Sequence, residues 1–245
     1  MGRICLLLLF FIMVFTLSAA AEEAYETDII KTSAGDLKIT LIGHGTLMLT
    51  FGNEIIHVDP FTKVTDYEKL PKADVILITH EHHDHLDLKA LALVRTEKTK
   101  VVLTEACSKQ VKKGIIMKNG EVQTVNGLKI EAIPAYNLVH KRDNGQPFHP
   151  KGVGNGYIIT FGNKRVYVAG DTENIPEMKS LQEIDCAFLP MNLPYTMTPE
   201  MVANAAKAFR PKILYPYHFG DTDTSQLLRL LQDQKDIEVR IRNMK

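Results

Sequence analysis

Four of the nine histidines lie within six positions, in Thr79-His80-Glu81-His82-His83-Asp84-His85, directly after the apolar run Val75-Ile76-Leu77-Ile78. A short apolar run of this kind reads as a buried strand, and a loop leaving a strand end is where a rigid scaffold presents a site. His80, His82, Asp84 and His85 offer three imidazoles and a carboxylate at short range. That donor set suits first-row transition metals, and Zn best. A solvated loop with unrelated histidines is the competing explanation, and imidazoles this dense count against it. The helical zinc motif H-E-x-x-H begins at His80-Glu81 but fails, because its fifth position is Asp84. His83 points away from its neighbours in an extended loop and is left outside the site.

Two weaker signals share that context. Gly170-Asp171-Thr172 follows the apolar stretch 165–169, and Tyr215-Pro216-Tyr217-His218 ends a stretch that starts at Lys212. Alone, Asp171 would read as a turn residue and His218 as a structural histidine. Three polar signals, each at the end of an apolar strand, can converge at one end of a sheet, and Asp171 could then bridge two metals through its two oxygens.

The rest of the chain is rich in strand-like, β-branched runs. They cover 37–42, 46–51, 54–58, 74–79 and 100–103, then 128–133, 157–161, 165–169, 186–189, 212–215 and 237–241. Gly52-Asn53 and Gly162-Asn163 each join two such runs as hairpins. Both carry the frame Thr-Phe-Gly-Asn, at Thr50 and Thr160, which hints at two related halves. Thr198 as N-cap with Pro199 at the first helical position predicts a helix to Phe209, with Met201, Ala205 and Ala208 on one face. Leu227, Leu228 and Leu231 predict a second helix over 224–232, and 86–94 and 105–112 are weaker candidates. Strands with helices in both halves predict an α/β sandwich.

The chain has 245 residues, 29 basic against 29 acidic, which is ordinary globular composition. Balanced charge argues against a partner recognised by bulk phosphate attraction, so no nucleic acid is expected. Arg3, the apolar run 4–17 and Ala19-Ala20-Ala21 have the layout of a secretory signal peptide, with Met1 to Ala21 removed and 22–245 forming one domain. The run is short for a membrane span, so no stable span is expected in the mature chain, and the expected location is secreted or periplasmic. Cys5 falls in that leader. Cys186, in an apolar strand, reads as a buried free thiol, and a disulfide to Cys107 cannot be inferred from sequence.

The order His-x-His-x-Asp-His, then Gly-Asp-Thr, then a late His after Pro resembles the metallo-β-lactamase-fold hydrolases, over about Leu37 to His218. The stretch Ile39 to Thr46, Val58-Asp59-Pro60-Phe61 and Pro190 to Met197 are similar to one branch. It includes the L-ascorbate-6-phosphate lactonase-like and N-acyl-phosphatidylethanolamine phospholipase D-like enzymes. The resemblance implies an αββα sandwich. It implies that His80 and His82 bind one metal, that Asp84, His85 and His218 bind a second, and that Asp171 bridges them. The family usually adds a further His to the first metal, after a strand ending in Pro-Ala. Here Pro134-Ala135-Tyr136 is followed by Asn137, a poor Zn ligand. Either His140 or His149 could fold back into that place, or the first site is weak. His149 is the better candidate, because it opens the Gly-rich stretch 149–156. Asp59 fits an outer role, accepting a hydrogen bond from a ligand imidazole, and His44 matches a position near the pocket. His57, within a strand, reads as structural.

The chemistry implied is hydrolysis by a metal-bound hydroxide of an ester, lactone or phosphodiester, with one or two Zn ions (Mn or Fe as alternatives) and Asp84 orienting or deprotonating the nucleophile. The expected partner is a small-molecule substrate. Lys141, Arg142 and Lys151 could hold an anionic group, and Tyr136, Tyr195 and Tyr217 could line a pocket. No G-x-S-x-G nucleophile motif is present. A secreted metal-binding or vestigial protein without turnover is the alternative, favoured by Asn137.

Overall fold

A computed structural model describes residues 25–244, so the proposed leader lies outside the described residues. The first half runs β1 (Glu26–Thr32), β2 (Gly35–Gly43), β3 (Thr46–Phe51), β4 (Glu54–Val58), β5 (Val75–Leu77), α1 (Leu88–Val94), β6 (Lys100–Leu103), α2 (Glu105–Ser108) and β7 (Ile115–Ile116). The second runs β8 (Val122–Val125), β9 (Leu128–Ala135), β10 (Gly154–Phe161), β11 (Lys164–Val168), β12 (Cys186–Pro190), α3 (Pro199–Phe209), β13 (Ile213–Tyr217), α4 (Ser225–Leu230) and β14 (Glu238–Val239). Each half forms one sheet with strands in chain order, β1 to β7 and β8 to β14. The first four strands of each sheet pair antiparallel and the rest parallel. The two Thr-Phe-Gly-Asn frames fall at matching places, the β3–β4 and β10–β11 turns, as two related halves require.

Side chains alternate across a strand, and this alternation builds the layers. In β5, Val75 and Leu77 join the core between the sheets, while Ile76 and the following Ile78 join a second cluster with Ala90, Leu91 and Val94 of α1. On the other sheet, α3 packs Val202, Ala205, Ala206 and Phe209 inward, and Phe209 meets the Tyr167 ring of β11 at 6.0 Å. The architecture is therefore an αββα sandwich. Thr198 caps α3 by accepting from the Met201 amide, a cap worth about 1 kcal/mol, and Arg210 in the left-handed region ends the helix. The buried face differs from the expected one. Ala208 is exposed and Met201 only half-buried, because the sheet beneath meets the stripe one position further along the helix.

Strand β1, β7 and β8 were not legible in sequence. All three are edge strands; β1 and β8 mix polar and apolar residues, and β7 is only the two residues Ile115–Ile116. Helix α2 is a single turn rather than the longer helix expected at 105–112. Cys107, in α2, and Cys186, in β12, are both buried free thiols. Among the described residues no helix is long and apolar enough to cross a membrane.

His57 is buried in β4 and donates through Nε2 to the Pro71 carbonyl at 3.1 Å. Burial pushes its imidazole down to about 4. The unfolded chain therefore takes up a proton near pH 6.5 that the folded chain refuses, so stability falls as pH falls from about 6.5 to about 4. Urea unfolding at about pH 7 and about pH 5 should show roughly 2 kcal/mol of acid-induced loss in the parent that is missing in His57→Gln. Equal pH dependence in the two proteins would contradict this reading.

Candidate metal centre

The site lies where β2, β5, β9, β11 and β13 end, and each contributing loop is held by hydrogen bonds that leave its side chain aimed inward. The His80–His85 loop follows β5. Thr79, at its start, donates its amide (2.8 Å) and hydroxyl (2.6 Å) to the two oxygens of Asp59. The amides of His85 and Leu86 fold back to the His82 carbonyl, and Asp87 caps α1. Asp171 sits after β11 in a loop where Gly170, at φ +65°, donates its amide to the Tyr217 hydroxyl. His44 lies between β2 and β3 at a register shift, with φ +52°. Its amide donates to the Met244 carbonyl, and its carbonyl accepts from the His218 amide. Gly45 lies tight against two rings: a Cβ there would stand 3.0 Å from His85 Cε1 and 3.3 Å from His218 Cδ2.

Two groups of donors result. The ligand atoms of His80, His82, His149 and Asp171 lie within 4.8 Å of one another, as do those of His44, Asp84, His85 and His218. Asp171 joins the groups. Its Oδ2 is 3.2 Å from His149 Nε2 and 3.9 Å from His80 Nε2. Its Oδ1 is 3.4 Å from both His85 Nε2 and His218 Nδ1. Asp84 Oδ2 stands 3.0 Å from His44 Nε2 and 3.4 Å from His218 Nε2.

The outer partners set which ring nitrogen is free. His85 donates Nδ1–H to Asp59 Oδ2 (2.7 Å). His149 donates Nδ1–H to Asn137 Oδ1 (2.6 Å). His80 places Nδ1 3.1 Å from Thr79 Oγ1, whose own proton goes to Asp59, so His80 is the donor. Each ring then presents the Nε2 lone pair to the centre. The Nε2 atoms of His80, His85 and His149, Nδ1 of His218 and Oδ1 of Asp171 are buried without a hydrogen-bond partner. Buried polar atoms are normally satisfied. Five orphans converging on one locus, all good transition-metal donors, fit divalent metal ions.

Electrostatics point the same way. Burial opposes ionisation of Asp171, but the His218 and His85 rings hold its carboxyl well below the usual carboxylate range. Burial likewise opposes ionisation of Asp84, and hydrogen bonds from His218 and His44 outweigh it. Burial pushes the His80 and His82 rings down, which keeps them neutral and able to donate electron pairs. His85 is the exception. Burial disfavours its charged form, yet Asp171 and Asp59 hold it well above the usual imidazole range. The two carboxylates thus demand a positive charge between them.

His140 and His149 part company. His140 turns to Glu173, 2.7 Å from its Nδ1, and belongs to neither group. His149 joins the group of His80, His82 and Asp171, and Asn137 sits behind it, accepting from its Nδ1. His83 is exposed and outside both groups, but contrary to expectation it lines the pocket over the centre. Two tyrosines expected in the pocket lie elsewhere. Tyr217 is buried beneath Gly170, and Tyr136 bonds to Glu177, which also takes Lys151. Tyr195 and Arg142 do line a pocket of about 360 Å³ that opens over His82, Asp84, His149, Asp171 and His218. Phe148, which sequence reading missed, lies in its wall. Its ring contacts Tyr195 edge-on at 5.0 Å and the Arg142 guanidinium at 5.1 Å.

This arrangement predicts different results at the two alternative histidines. Native mass spectrometry of zinc-loaded protein should show His149→Ala losing one ion relative to the parent, while His140→Ala keeps the parental load. The opposite pattern would overturn the grouping.

Comparison with known proteins agrees with the fold. A family model described as the beta-lactamase superfamily domain matches residues 38–218. The chain is 34% identical over 199 residues to a UPF0173 metal-dependent hydrolase of Koribacter versatilis, covering 75% of this chain and 84% of that one. It is 27% identical over 221 residues to a UPF0173 metal-dependent hydrolase of Pelotomaculum thermopropionicum, covering 84% and 96%. Among solved structures, a Parabacteroides distasonis protein provisionally described as a metal-dependent hydrolase superposes with a TM-score of 0.86 at 52% identity, covering 90% of this chain and 100% of that one. A metallo hydrolase from Ignicoccus hospitalis gives a TM-score of 0.70 at 26% identity, covering 85% and 95%. With likeness running through most of the length on both sides, the chain belongs to the metallo-β-lactamase superfamily, among its UPF0173 members.

Proposed function

We propose that this protein is a metal-dependent hydrolase acting on a small-molecule ester, lactone or phosphodiester. The observation that carries the reading is Asp171, whose two oxygens are divided between two groups of histidines. His80, His82, His149 and Asp171 would hold one ion. Asp84, His85, His218 and Asp171 would hold a second, with His44 at hand. Zn suits these donors best, with Mn and Fe as alternatives. Bound there, divalent ions supply Lewis-acid polarisation of the substrate and an acidified water at neutral pH.

The chain's own residues contribute the rest. Asp84 borders the pocket and stays ionised, so it can accept a hydrogen bond from the attacking water and orient it. Asp59, Thr79 and Asn137 fix the ring tautomers. Arg142 contacts the Phe148 carbonyl and ring rather than a carboxylate, leaving its charge available to an anionic substrate. The grouping of His149 with His80 and His82 supports turnover over a vestigial protein, for which Asn137 speaks. We further propose that residues 1–21 direct the protein out of the cytoplasm, which N-terminal sequencing of the exported form would test.

Purified residues 22–245 supplied with Zn or Mn should hydrolyse at least one of a phosphodiester, a lactone and a simple ester, and chelation should abolish turnover. No hydrolysis by protein shown to carry two ions would contradict the assignment. Arg142→Ala should raise KM about tenfold for anionic substrates, roughly 1.4 kcal/mol, while leaving neutral lactones unchanged. An equal effect on both would remove Arg142 from substrate binding.

A further inference from the structure

Glu173 lies two residues beyond Asp171, is buried, and touches neither group of histidines. It is nevertheless one of the most heavily bonded carboxylates in the molecule. Oε1 accepts from Asn137 Nδ2 (3.0 Å), the His140 amide (2.7 Å) and His140 Nδ1 (2.7 Å). Oε2 accepts from the amides of Leu138 and Val139, both at 2.7 Å. A carboxylate is acceptor-only, so five donors meet it without conflict. Its own amide donates to the Tyr136 carbonyl, stitching the Asp171 loop to the segment that starts at Asn137.

That segment has no apolar reason to lie where it does. Leu138 and Val139 are 48% and 64% exposed, so hydrophobic burial does not hold it, and Glu173 does. The consequence passes through Asn137. Its Nδ2 donates to Glu173 Oε1 and to the Tyr195 carbonyl (2.9 Å), both obligate acceptors. Its Oδ1 accepts from the His149 amide (2.9 Å), an obligate donor, and from His149 Nδ1 (2.6 Å). The amide therefore has one permitted orientation, and that orientation forces the proton of His149 onto Nδ1. Nε2, 3.2 Å from Asp171 Oδ2, is left with its lone pair facing the centre.

We propose that Glu173 is a positioning residue for the first histidine group: through Asn137 it fixes the ring orientation and tautomer of His149, and so sets the affinity of that group for a divalent metal. The proposal rests on the metal-centre reading above for its affinity part, whereas the tautomer part holds in the metal-free protein.

Both parts are testable in the folded chain, residues 22–245. Ring-nitrogen NMR of metal-free protein should show His149 in a single Nδ1–H tautomer. In Glu173→Gln, whose amide group must face backbone donors, and in Asn137→Ala, His149 should become a mixture of tautomers. Co(II) titration followed by absorption and calorimetry should show one of two sites weakened about 10–100-fold in both variants, with the other unchanged. Should Glu173→Gln fail to fold, Glu173→Asp, which keeps the charge but draws the carboxylate back from Asn137, is measured in its place with the same two outcomes. An unchanged tautomer with two parental affinities would overturn the proposal. A parent that binds no Co(II) would instead sink the metal-centre reading, and the tautomer measurement would still decide the role of Glu173.

Discussion

A buried carboxylate is costly unless charge and hydrogen bonds compensate it, and Asp171 is such a group at the meeting point of the two sheets. It belongs to the second sheet, yet most of the rings around it arrive from elsewhere. His80, His82 and His85 come from the loop after β5 of the first sheet, and His149 and His218 from opposite sides of the second. The sheets must meet closely at this end for the rings to converge, which accounts for Gly45 between two imidazoles. Outside them, Asp59, Thr79 and Asn137 hold ring protons in place, so the centre is arranged before any ion arrives.

The repeated pairing pattern explains how the ends come together. Each half makes four antiparallel strands and then turns parallel. The loop after the fifth strand of the first half carries the histidine cluster, and the loop after the fourth strand of the second carries Asp171. Both loops reach the same end of the sandwich, where Asp171 meets His80 and His85.

Much of this was legible in sequence because its signals are local. His80 to His85 follow an apolar strand within ten residues, the hairpins announce themselves at Gly52-Asn53 and Gly162-Asn163, and Thr198-Pro199 marks the start of α3. What escaped is long-range or lies at an edge. Asn137 reads as a missing ligand until His149 folds back over twelve positions to pair with it. Glu173 carries no motif, and its role comes from five donors at 137–140 that only the fold brings to it. Phe148 joins Arg142, which the sequence did single out, in one wall of the pocket through a loop whose backbone pairing, Lys141 with Pro147, has no periodic signature. The edge strand β1 mixes charge with Ile29 and Ile30, so alternation is blurred there.

The central claim is that Asp171 joins two metal positions, with His149 rather than residue 137 completing the first. Anomalous diffraction from crystals of zinc-loaded protein tests it most directly. The account predicts two peaks. One is ligated by His80, His82, His149 and Asp171, the other by Asp84, His85, His218 and Asp171. A single peak, or a first ion bound through Asn137 with His149 turned away, would contradict it.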